Sequence, residues 1–322
     1  MIGSVEDHGT PFARELPAEL GESDNALAPV VHPGRLAIIP EPWRARVTGR
    51  RVRRWRHAGR AIARYNARVR SDAATLNFYP MLPQPNAPIS HIVRELGMRI
   101  GTTPRADEAT IAWDGDTWFS ARSARRLPGN AINGKCLDIS KSRVHEQWLR
   151  VAGRTLAVAP TSYVGTMVEK PEENGRHGGR LVQGPLHDAR RGHVYERLVD
   201  ARAHGYVTQT RAILIGYELI GAYEKWRPEA NLFFGTVLSL PRAPADLWSA
   251  SEQAEIIALA RAMDLEYGEI DIVRDVVSGA MHAVDVNRTP SQAHRLPERV
   301  QPQLWASQAA ALRELLLAPR GF

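Results

Sequence analysis

Two short segments hold the side chains best suited to chemistry. Tyr267–Arg274 reads YGEIDIVR and Met281–Asn287 reads MHAVDVN. Both alternate polar and apolar residues, the period of a β-strand. Extended, the first sets Glu269 and Asp271 on one face, opposite Ile270 and Ile272. The second sets Asp285 and Asn287 opposite Val284 and Val286. The connecting residues 275–280 contain Ser278-Gly279, so a hairpin centred near Ser278 places Asp271 across from Asp285. Facing carboxylates repel unless a cation lies between them, and an Asp, Asp, Asn set suits a hard ion such as Mg²⁺. The alternative is an acidic outer face on an ordinary hairpin. His282 shares the Val284 face and reaches such an ion only if the register slips.

A second signal is Lys170-Pro171 followed by a glycine-rich run with Gly175, Gly178 and Gly179. A lysine ending a strand before a flexible turn can reach phosphate oxygens, and free N–H groups of the turn can close over them. The Gly-Lys-Ser/Thr ending of a Walker loop is absent. The alternative is a polar hairpin tip, with His177 a solvated loop residue. Tyr223, Lys225 and Arg227 are candidates for an acceptor site or for an edge strand with solvated charges. Asn77 and Tyr79 are acceptor candidates by location alone. Cys136 reads as a packed apolar residue.

These residues need elements to hold them. Ser140 can cap a helix to about Val151 that carries Lys141 in its first turn. Strand-like runs are Thr75–Tyr79, Ala109–Trp113, Thr155–Val158, Gly165–Lys170, Val194–Val199, Thr210–Ile215 and Leu219–Lys225. Ser90 can cap a helix to about Gly97. Ser249-Ala-Ser-Glu252 is a capping box before an amphipathic helix, and residues 302–317 form a helix rich in Ala and Leu. The order is a loose arm (1–43), a basic helical segment (44–71), a small α/β unit (72–132) and a larger unit (133–322). Antiparallel hairpins among the helices predict an α+β fold.

Composition sets the outer limits. The 322 residues are 43% hydrophobic and 24% charged, which excludes a disordered chain. The single cysteine excludes a disulfide framework and a cysteine-rich metal site within one chain. No run approaches the roughly 20 apolar residues of a membrane span. The first residues lack the basic-then-apolar pattern of a secretory signal, so a cytoplasmic location is expected. The net charge of +7 suggests an acidic partner, but residues 44–70 hold eleven arginines and no Asp or Glu, leaving 31 basic against 35 acidic residues elsewhere. The excess is local. Val52, Trp55, Ala58, Ile62, Tyr65 and Val69 recur at helical spacing in that segment, which predicts a basic helix with one apolar face.

In order, Lys141, Lys170-Pro171, the glycine run, the strand Val194–Val199 and the Asp271…Asp285-Val-Asn287-x-x-Pro290 hairpin resemble the ATP-grasp superfamily over about residues 133–290. The resemblance implies two α+β subdomains, with a hinge near 194–200, gripping ATP after a smaller α/β domain. It assigns phosphate contacts to Lys141 and Lys170, and a lid to Gly175, Gly178 and Gly179. Glu196, Arg197 and Leu198 would meet adenine. Asp200 stands near the usual ribose carboxylate, at a shorter spacing than the common pattern. Arg211 matches an arginine acting on the transferred phosphoryl group. Asp271, Asp285 and Asn287 match the ligands of one or two Mg²⁺ ions, or Mn²⁺, although the family more often has Glu where Asp285 stands.

The implied activity is an ATP-dependent ligase that activates a carboxylate as an acylphosphate for attack by an amine or a thiol, with Arg211 and Lys170 catalytic. The implied partners are small-molecule or peptide carboxylates and amines, with a homodimer left open. Two alternatives stand beside it. One is an ATP-grasp kinase or other phosphotransferase. The other is a non-enzymatic binder of anions or nucleic acid through residues 44–70. A nucleic-acid partner is disfavoured, because that segment leaves the ordered constellation unexplained.

Overall fold

The computed structural model describes residues 57–176, 178–230, 232–233, 235–290 and 296–318. The expected arm, residues 44–56 of the basic helix, and His177 lie outside them. The remainder of the basic segment is helical over residues 57–66 (α1). Ala58 and Ile62 enter the core of the small unit. The Tyr65 hydroxyl donates to the Met98 carbonyl at 2.7 Å, while Arg60 and Arg64 stay exposed. Of the expected apolar face, Ala58, Ile62 and Tyr65 are used for packing; Val52 and Trp55 lie outside the described residues.

The small unit is a parallel sheet of β1 (Thr75–Pro80), β2 (Arg99–Gly101) and β3 (Ala109–Trp113) in the order β2-β1-β3. Helix α2 (Pro88–Glu95) links the first two. It begins before the expected cap at Ser90, because Pro88 in its first turn already holds a helical φ. Ser90 lies inside the helix and its hydroxyl donates to the Gln84 carbonyl at 2.7 Å.

Helix α3 (Lys141–Ala152) starts where expected, with the Ser140 side chain accepting from the Arg143 N–H. Ser140→Ala is expected to lower stability by ~1 kcal/mol; chemical denaturation checks it. A three-stranded antiparallel sheet follows, built from β4 (Gly165–Pro171), β5 (Arg180–Gly184) and β6 (His193–Arg197) in the order β5-β4-β6. The expected strand at Thr155–Val158 is only an isolated bridge between Ala157 and Glu196.

The large sheet contains β7 (Arg202–Ala203), β8 (Tyr206–Ile215), β9 (Glu218–Pro228), β10 (Leu238–Arg242), β11 (Tyr267–Arg274) and β12 (Met281–Asn287). Its order is β10-β9-β8-β11-β12, with β7 paired to β8. One face packs on α3 and on α4 (Ala250–Ala262), which carries the expected capping box at Ser249 and Glu252. Val144, Trp148, Ile256, Leu259, Ile270, Ile272, Ala283 and Val286 share that core. The last helix, α5 (Gln301–Leu317), sends Ala309 and Leu312 into the core of the small unit beside Leu76 and Ile89. The fold is α+β. Among the described residues no helix is long and apolar enough to cross a membrane.

Candidate active site

The alternation of the large sheet puts one set of residues into the helix-backed core and the other into a cleft of about 1230 Å³. The small antiparallel sheet and the glycine-rich loop form its opposite wall. β11 and β12 pair as the sequence predicts, with Asp271 opposite Asp285 and Glu269 opposite Asn287. Gly268 permits the approach, since a Cβ there would lie 2.6 Å from the Asn287 carbonyl oxygen.

One feature of this hairpin escapes sequence reading. The register shifts after Asp271, so Ile272 pairs with Ala283 and Val284 is left as a bulge. An extra residue reverses which side chains face which way. Ala283 and Met281 enter the core, and Val284 lines the cleft beside Asp285. His282, expected on the face away from Asp285, pairs with cleft-lining Val273 and meets Arg197, Nε2 to Nη2 at 3.0 Å. Burial and the neighbouring Arg197 push the imidazole down to about 4.

The carboxylates lie in a dense field of charge. Arg211 spans two of them. Its Nε and Nη2 donate to Asp271 at 2.5 and 2.8 Å, and Nη1 to Glu269 at 2.9 Å. Lys225 adds a bond to Asp271 at 3.0 Å. Burial works against the ionised form of Asp271, but Arg211 and Lys225 outweigh it and hold the group below the usual carboxylate range. Burial with Arg211 alongside pushes Lys225 down to about 8. Asp285 differs. Burial raises its carboxyl, with Asp271 adding to the effect against Lys141, and its Oδ1 is buried without a hydrogen-bond partner.

These groups fit a divalent cation. Asp271 offers about four lone-pair positions, of which the bonds above use three. Among the described residues Asp285 Oδ1 has no hydrogen-bond partner, and Asn287 Oδ1 accepts the Thr289 N–H at 3.1 Å. Among the described residues no three His, Cys, Asp or Glu side chains gather as a complete metal cage. Two carboxylates and an amide leave positions to phosphate oxygens and water, as Mg²⁺ commonly has them.

Most of the other expected residues line the same cleft: Lys141, Lys170, Gly175, Gly178, Gly179, Glu196, Arg197, Leu198 and Arg211. Lys170 Nζ lies 2.5 Å from Glu196 Oε2, and His145 Nε2 lies 3.0 Å from Oε1. Burial works against the Glu196 carboxylate, but Lys170 and His145 overcome it and hold the group down at about 2. The stability this contributes is present above the ordinary value of 4.5 and is lost as pH falls toward about 2. Lys170→Met is expected to cost about 3 kcal/mol near pH 7, because Glu196 is left buried with its ammonium partner gone. Denaturant unfolding measures it, and a cost below about 1 kcal/mol contradicts the pairing.

Two of the expected residues have side chains engaged elsewhere. Asp200 does not line the cleft, because Arg202, two residues on, takes both its oxygens at 2.8 Å. Arg197 lines the cleft, but its guanidinium is turned to His282 and Asp275 of the large sheet. Asn77 is absent from the cleft lining and donates to Glu108 at 2.7 Å; Tyr79 is absent as well. Tyr223, Lys225 and Arg227 do line the cleft, on a strand interior to the sheet rather than at its edge. Arg227 bonds Gln209 at 2.8 Å and its Nε is buried without a partner.

Three supporting residues had no assigned role in the sequence. Glu269 shares Arg211 with Asp271. Asn174 ties the glycine loop to three other segments. Arg288 is fully buried and donates to the carbonyls of Asp114, Cys136 and Asp116. It fastens the end of β12 to the small unit. Only the run Asn287-Arg-Thr-Pro hinted at it.

No family model and no curated relative matches this chain. Solved structures do. The ATP-grasp ligase PsnB complexed with a minimal precursor is 13% identical, over 76% of this chain and 99% of that one, with a TM-score of 0.49. A RimK domain ATP-grasp protein from Sphaerobacter thermophilus is 14% identical over 76% and 100%, with a TM-score of 0.46. An L-amino acid ligase from Bacillus licheniformis is 13% identical over 70% and 68%, with a TM-score of 0.42. The solved structures to which this chain is similar include ATP-grasp ligases, members of the superfamily that its sequence motifs resemble.

Proposed function

We propose that this chain is an ATP-grasp ligase that uses Mg-ATP to activate a carboxylate for attack by an amine or a thiol. The observation that carries the reading is the convergence of Lys141, Lys170, Arg211 and the opposed pair Asp271 and Asp285 on one cleft. Phosphoryl transfer needs positioning and charge neutralisation more than covalent help from the protein, and these groups are of that kind.

In this reading the apolar end of the cleft, with Leu156, Val168, Leu198, Val273 and Val284, accepts the base. Lys141 and Lys170 neutralise the phosphates. Arg211 stabilises the charge that grows on the transferred group. Asp271, Asp285 and Asn287 would hold the metal, which would supply charge neutralisation when bound. Gly175, Gly178 and Gly179 cover the phosphates and exclude water, which otherwise hydrolyses an acylphosphate. No protein nucleophile is required. Arg227, with its unpartnered Nε, and Lys225 supply cations for a carboxylate substrate, either a small molecule or a peptide.

The test is product analysis on pooled carboxylates and amines. ADP and inorganic phosphate are expected to form together only when both classes of substrate and Mg²⁺ are present. A stable phosphorylated acceptor without free phosphate would instead assign a phosphotransferase. The apolar side of α1 is used in packing on the small unit, while Arg60 and Arg64 stay exposed; a binder built on residues 44–70 is the alternative reading. Nucleic-acid binding with a steep salt slope, lost on removal of residues 1–70, would restore that alternative.

A further inference from the structure

Lys141 is held by the glycine-rich loop itself. Its Nζ lies 3.1 Å from Asn174 Oδ1 and 3.2 Å from the Glu173 carbonyl. Asn174 is in turn bound in three further directions. Its Nδ2 donates to the Ile139 carbonyl at 3.1 Å and to the Val286 carbonyl at 3.0 Å. Its backbone N–H donates to Thr117 Oγ1 of the small unit at 2.8 Å. These partners fix the amide orientation, since both carbonyls need a donor and the ammonium needs an acceptor. Val286 stands between Asp285 and Asn287, and Ile139 immediately precedes the cap of α3. One residue, through its side chain and its backbone N–H, therefore joins the loop over the cleft, the strand of the candidate metal ligands, the segment leading into the helix that carries Lys141, and the small unit.

We infer that Asn174 is a positioning residue for the nucleotide phosphates: anchored to fixed carbonyls on two elements, it sets where the Lys141 ammonium sits and how the glycine loop closes over it. The inference rests on the reading of the cleft as a nucleotide site. A bare lysine on a flexible stem is a mobile point charge. Val286 belongs to β12 and Ile139 immediately precedes the cap of α3, and Asn174 ties the ammonium to both. Thr117 couples the same loop to the small unit.

The test is a double-mutant cycle on the binding of a non-hydrolysable ATP analogue with Mg²⁺ to the full chain, measured by calorimetry. Asn174→Ala is expected to weaken binding about tenfold. Lys141→Ala is expected to weaken it as well, and the double variant to lose clearly less than the product of the two. Thr117→Val removes only the acceptor of the Asn174 N–H from a residue outside the cleft lining. It is expected to weaken binding in the same direction and to be non-additive with Asn174→Ala, which keeps the test open should Asn174→Ala fold poorly. Fully multiplicative effects, or tenfold loss in neither Asn174 nor Thr117 variants with the unaltered chain binding normally, overturn the inference alone. No binding by the unaltered chain overturns the nucleotide reading and the inference with it.

Discussion

Arg211→Ala is expected to destabilise the chain by about 3–5 kcal/mol and to abolish ATP turnover, the largest combined loss of any single substitution in the cleft. The guanidinium is the shared partner of Asp271 and Glu269, both carboxylates lying on the sheet face that lines the cleft. Removing it leaves Asp271 with Lys225 and, among the described residues, takes from Glu269 its ion-pair partner. Burial already raises the Glu269 carboxyl above its usual range, with Arg211 the main opposing influence. The variant therefore drives Glu269 further toward its protonated form, and its stability should recover in part as pH is lowered through the raised value. Arg211→Lys retains a charge but cannot span two carboxylates with a planar fork, so it should lie between wild type and alanine. Urea unfolding at pH 7 and pH 5 measures both. A loss below 1 kcal/mol for the alanine variant contradicts the arrangement.

Asp285→Asn has the opposite balance. Its effect on turnover is expected to be at least ~100-fold, since even residues one shell away from a metal cost 10–100-fold. Its effect on metal-free stability is expected to be neutral or favourable. Burial raises the Asp285 carboxyl and no group in the structure pairs with its Oδ1. A carboxyl so raised contributes stability below its unfolded value and loses that contribution as pH rises through the folded one. The neutral amide removes that penalty at pH 7 while forfeiting the ligand charge. Thermal melts without Mg²⁺ should place the variant at or above wild type. With Mg²⁺ and nucleotide added, only wild type should shift upward. A melt well below wild type without metal would assign Asp285 a structural role instead.

The opposition of Asp271 and Asp285 was legible because alternation fixes faces and the Ser278-Gly279 turn fixes register. The bulge at Val284 was not, because a run of alternating residues carries no mark of an unmatched one. That single residue moved His282 and Val284 to the cleft side. The glycine loop and Lys141 could be placed from local signals, a cap and a strand end. Asn174 could not, since its partners at Thr117, Ile139 and Val286 lie on three separate segments and meet only in the folded chain. The pairing of Asp200 was hidden for a local reason: the Arg202 side chain two residues away binds both its oxygens. β2 was too short to give a period, and the seating of α5 on the small unit is a tertiary contact with no local signature.

The central claim is that this cleft binds a nucleotide through a metal held by Asp271, Asp285 and Asn287. Calorimetric titration of a non-hydrolysable ATP analogue tests it most directly, with Mg²⁺, with EDTA, and on Asp285→Asn. The account predicts saturable binding to wild type with Mg²⁺, lost or weakened at least tenfold by EDTA and by the substitution. Binding of equal strength in all three conditions, or none to wild type with Mg²⁺, contradicts it.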